Sequence, residues 1–87
     1  MNKKHQKTLH AIFSNPVQSN ILWHDIEALF MACGAHRTEG NGSRVNFILN
    51  EVRAVFHRPH PQKETDKGAV KSVRKFLLSA EIVPFPN

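Results

Sequence analysis

The sequence predicts a small α+β domain, with one three-stranded antiparallel sheet covered by helices on one face, in the order α-α-β-β-β-α. Three observations carry this. Three segments place apolar residues at helical spacing. Two neighbouring segments are rich in β-formers and are split by the polar pair Asn50-Glu51. The breaker Gly40-Asn41-Gly42 separates the second helix from that hairpin. A single sheet with helices on one side is the economical way to bury such stripes. Eighty-seven residues make one domain, spanning 1–87, with no room for a second core.

Lys3 to Ser14 reads as the first helix, because Leu9, Ile12 and Phe13 fall at i, i+3 and i+4. Asn15-Pro16 ends it, and Pro16 to Ile21 reads as a loop. Trp23 to Cys33 is the second helix. Trp23, Ile26, Leu29, Phe30 and Cys33 give it a broad buried face, and Gly34 caps its C-terminus. Asp25 and Glu27 are expected in the first turn, where the helix dipole favours negative charge. Ala35 to Glu39 is a weak strand, followed by strands at Arg44 to Leu49 and Val52 to Arg58. Pro59 and Pro61 exclude a central strand from Pro59 to Lys63. The last helix runs from Lys67 to Ala80 with Asp66 as its N-cap, and Ile82 to Pro86 is a terminal tail.

The net charge of +5 and an apolar share of 40% describe a basic domain with a real core. That charge favours a polyanionic partner. The lone Cys33 allows no internal disulfide and reads as a small core residue. No apolar run approaches the roughly 18 residues needed to span a bilayer. The basic N-terminus lacks the apolar core of a signal peptide. A cytoplasmic protein is expected.

The hairpin register follows from a two-residue turn at Asn50-Glu51. Leu49 then pairs with Val52, Phe47 with Ala54 and Val45 with Phe56, and these six share the covered face. On the open face Ile48 pairs with Arg53, Asn46 with Val55, and Arg44 with His57. Arg44 and His57 thus become cross-strand neighbours. Histidine can take a proton from a ribose 2′-hydroxyl, and arginine can hold a phosphate and stabilise its growing charge. His57 and Arg44 are the candidate catalytic pair, with His60 a second choice held by Pro59 and Pro61. His5, His10, His24 and His36 read as surface residues. With His57 and His60 the only close pair of ligand type, no metal site is expected, and no motif asks for a cofactor. Lys67, Lys71, Arg74 and Lys75, at i, i+4, i+7 and i+8, line one helix side and form the candidate phosphate-binding face, which Lys63 extends.

Gly34 ending a helix, Gly42-Ser43 opening a strand, the hairpin, and His60 before a closing basic helix together resemble the HicA toxins of bacterial type II toxin–antitoxin systems. The resemblance covers residues 21–82; residues 1–20 are then an N-terminal helical extension and residues 83–87 a tail. It implies a fold like a double-stranded-RNA-binding domain, ribosome-independent mRNA cleavage, and a HicB-like antitoxin that caps the toxin and through which oligomers form. Ser43 joins the RNA-binding candidates through the resemblance, and Arg58 through its place at the end of the basic hairpin. The family's catalytic histidine follows the Gly-Ser pair by one or two residues, where this chain has Arg44 and Val45. Gly42, Ser43, His60 and the last helix carry over, and the histidine does not. Three readings stay open: an endoribonuclease using His57, a non-catalytic RNA-binding homologue, and a basic module for an acidic protein partner.

Overall fold

The computed structural model describes residues 1–85. Eight elements follow in order: α1 (Lys3–Ile12), β1 (Ile21–Leu22), α2 (Trp23–Ala32), β2 (His36–Glu39), β3 (Arg44–Leu49), β4 (Val52–His57), β5 (Glu64–Thr65) and α3 (Lys67–Ser79). The antiparallel sheet runs β2-β3-β4. The β3–β4 register is the one expected, from Leu49 opposite Val52 to Arg44 opposite His57. It holds because Val45, Phe47 and Leu49 are fully buried on the covered face, so a one-residue slip would expose all three.

An aromatic cluster joins the two layers. Phe30 of α2 lies 4.8 Å from Phe47 and 5.2 Å from Phe76 of α3, both edge-on, and Phe56 lies 5.6 Å from Trp23 and 5.8 Å from Phe76. Edge-to-face packing of this kind adds to the area the rings bury. α1 is more than an appendage: Leu9 and Ile12 belong to the same core. Arg74 fastens it, donating to the carbonyl oxygens of Ile12 and Ser14 at 2.8–3.0 Å, where the end of a helix leaves acceptors unpaired.

Helix ends follow their local chemistry. Asp66 accepts from the Ala69 amide at 2.8 Å as the N-cap of α3. After α2, Gly34 has φ +96°, its N–H reaches Met31 O and that of Ala35 reaches Phe30 O, a Schellman ending that needs the left-handed conformation. α3 ends the same way through Glu81 (φ +64°), with the Ile82 N–H on Leu77 O. Ile82 is half-buried against the core; Pro86, the end of the expected tail, lies outside the described residues.

The hairpin turn also takes positive φ at both central residues, Asn50 (+49°) and Glu51 (+68°). Asn50 turns its amide onto Ala80 O at 2.8 Å, tying the turn to the end of α3. Glu51 and Glu81 gain nothing comparable from their side chains among the described hydrogen bonds. Glu51→Gly and Glu81→Gly are therefore each expected to stabilise the fold by up to about 1 kcal/mol, read as a higher urea midpoint at unchanged slope.

Two sequence expectations need correction. Ile21 ends no loop: it opens β1, which pairs with β5 (Ile21 opposite Thr65, Leu22 opposite Glu64). Two-residue strands carry no periodicity, so this clip is invisible locally. Glu27 lies beyond the first turn of α2 and is buried, at 7% exposure. Its partners are described next.

Candidate RNA-contacting site

Arg44 and His57 sit opposite each other at the open end of the hairpin, both exposed. Backbone pairing continues one step further, with the Arg58 N–H on Ser43 O at 2.9 Å. This brings Ser43 Oγ to 3.4 Å from His57 Nδ1, a long contact that orients the ring weakly. Gly40 matters to Arg44. A Cβ on Gly40 would fall 3.0–3.1 Å from the Arg44 side-chain carbons, so the absence of one lets the arginine stem lie across the turn. No ion pair engages Arg44 among the described residues.

Behind this pair stands a charged network. Glu27 Oε2 accepts from Arg58 Nε at 2.7 Å and from Trp23 Nε1. Glu27 Oε1 accepts from Arg58 and Arg37, each at 3.1 Å. The other edge of Arg58 grips Glu39 through two bonds of 2.5 and 3.0 Å. Arg37 and Glu39 pair with Phe47 and Val45, so they lie on the covered side of the sheet at its edge. Inward charges on an edge strand also discourage pairing with another chain. Burial pushes the Glu27 carboxyl up, but the hydrogen bonds from Arg58 and Trp23 and the Arg58 charge outweigh it, and the carboxyl is held below its ordinary range. Hydrogen bonds from Arg58 lower Glu39 likewise. Those same two carboxylates raise Arg58.

The candidate phosphate contacts separate into two groups. Lys67, Lys71 and Lys75 are exposed along one side of α3, and Lys63 is exposed in the loop before it. Arg74 was expected among them, but its guanidinium is spent on α1 and stacks 5.8 Å over Phe13. Arg58 is likewise held by two carboxylates. Helical spacing put Arg74 on a common side with the lysines; it could not reveal that α1 packs there with open carbonyls.

His60 stands apart from His57. It is exposed and lines a groove of about 600 Å³ between the start of α2 and residues 59–63. His24, also exposed, lines the same groove. Cys33 is half-buried, and burial pushes its thiol up, away from nucleophilic use. No described helix is long and apolar enough to cross a membrane.

No curated protein and no solved structure matches the chain. A family model does: that of the HicA toxin of bacterial toxin–antitoxin systems, over residues 23–78. The matched segment starts at Trp23 and runs through the Glu27 network, the Gly42-Ser43 turn, the hairpin and His60 to the lysine side of α3. On that extent of match, the chain belongs to the HicA toxin family.

Proposed function

We propose that this toxin is an endoribonuclease acting on mRNA and neutralised by a HicB-like antitoxin that covers the open sheet face. The observation that carries the reading is the juxtaposition of Arg44 and His57 on that face, with Ser43 beside the imidazole. In the tautomer that carries the proton on Nδ1, Ser43 Oγ can accept it and the Nε2 lone pair is left for the substrate. Nε2 takes the proton of a ribose 2′-hydroxyl, and the 2′-oxygen attacks the adjacent phosphorus. Arg44 stabilises the charge that grows there, and the 5′-oxygen leaves with a proton from water. The products are a 2′,3′-cyclic phosphate and a 5′-hydroxyl.

The nucleophile belongs to the substrate, so DNA is untouched and a chelator does not inhibit. The test is cleavage of a single-stranded RNA by antitoxin-free toxin, with and without chelator, followed by end-group analysis. Absence of cleavage moves the protein to a second reading, an RNA-binding HicA homologue without catalysis. That reading is favoured by Arg44 standing where the family places its histidine.

RNA affinity rests on the exposed Lys67, Lys71 and Lys75. Binding is expected to weaken steeply with salt. Each lost phosphate contact on a single strand lowers the log–log slope by about 0.7, so Lys67→Glu with Lys71→Glu should flatten it by about 1.4 units. A salt-independent interaction removes the phosphate-contact reading.

A further inference from the structure

We propose that the groove between α2 and residues 59–63 is a base-binding subsite for one unpaired nucleotide of single-stranded RNA; this rests on the RNA reading above and extends it away from His57. The fold builds this groove deliberately. The β1–β5 clip and the Trp23 N–H on Lys63 O (3.0 Å) hold residues 59–63 against the first turn of α2. The space of about 600 Å³ is within the usual range of small-ligand sites, about 300–1,000 Å³. Its lining is mostly uncharged and rich in rings: the exposed His24, His60 and Pro61, the half-buried Pro59 and the largely buried Trp23, with Arg37 as a second cation beside Lys63. Ring faces of this kind accept the π-surface of a splayed base whatever its identity.

Charge decides between a base with its phosphate and an acidic peptide or neutral ligand. Lys63 supplies a cation at the rim. The one carboxylate in the wall, Glu27, has both oxygens engaged by Trp23, Arg37 and Arg58, so it offers no hydrogen-bond acceptor to a ligand and little repulsion to a phosphate. The helix end beside it has no side-chain cap. Aromatic walls with a cationic rim fit a nucleotide better than a peptide carboxylate, which would leave the rings unused. The groove is also placed for it. His60 follows His57 by three residues, so their Cα atoms lie within about 11 Å.

Trp23 is the only tryptophan in the chain and forms part of the groove wall, so its emission reports on occupancy directly. The test titrates the toxin with an end-labelled 2′-O-methyl pentanucleotide, which cannot be cleaved, and reads label anisotropy and Trp23 emission together. Both should saturate at the same concentration. An oligomer with one abasic position in the groove register should bind at least about fivefold more weakly, as the loss of one stacked base predicts. His60→Ala and Lys63→Ala, both at exposed positions, should each weaken binding and reduce quenching while circular dichroism stays unchanged. Anisotropy that rises while Trp23 emission stays fixed, or full affinity in both variants, overturns the groove and leaves the RNA reading intact. No rise in anisotropy at low salt overturns both.

Discussion

His57→Ala is expected to slow RNA cleavage by about 10²–10⁴-fold, the usual cost of removing a positioned acid–base group. RNA affinity should change little, because the lysines of α3 and the groove at His60 are separate from it. His60→Ala should do the reverse, weakening affinity while the rate at saturating RNA is retained. Arg44→Ala should lower the rate with a smaller effect on binding, since its charge serves a phosphorus that gains negative charge only during the reaction. Single-turnover kinetics across a range of RNA concentrations separates these outcomes. Wild-type rates in His57→Ala would sink the mechanism and leave the phosphate contacts standing.

Glu27→Ala should cost about 3 kcal/mol of folding stability, the low end for breaking one side of a buried ion pair. The low end applies because Arg58 keeps Glu39 and is one-third exposed, whereas the Trp23 indole N–H loses its acceptor. For a small domain this is a large share of the roughly 5–15 kcal/mol available. The pH dependence has a definite sign. A carboxyl held below its ordinary value in the folded state stabilises fully above the unfolded pKa, near 4.5, and loses that contribution as pH falls through the folded value. Wild type should therefore weaken in acid, and the gap between wild type and Glu27→Ala in urea midpoints should narrow there. Equal midpoints at neutral pH would show that the network is not holding the edge strand to α2.

The network and the site differ in how far they could be read from the chain. Arg44 opposite His57 was legible because it needs only two facts: a two-residue turn at Asn50-Glu51 and the alternation of a strand with one buried face. Both are local, and a buried Val45, Phe47 and Leu49 leave the register no freedom. The Glu27–Arg58–Glu39–Arg37 cluster was not legible. Its members come from α2, the end of β4 and an edge strand that reads weakly, and each taken alone resembles a solvated charge. The engagement of Arg74 with α1 was hidden for the same reason, since its periodicity is that of the neighbouring lysines.

What the sequence determined by itself had short range: three helices with Gly34 and Asp66 among their caps, the hairpin and its pairing, the family resemblance, and the excess of positive charge. What only the tertiary structure decided was which of those charges remain open to a ligand. Arg58, Arg37 and Arg74 are drawn into bonds with partners up to 62 residues away, whereas Lys63, Lys67, Lys71 and Lys75 stay exposed. The physical reason is that a guanidinium brings several donors to any acceptor the fold carries near it, and desolvation makes an unpaired buried carboxylate costly. Such pairings depend on which faces meet, and no local pattern of residues encodes that.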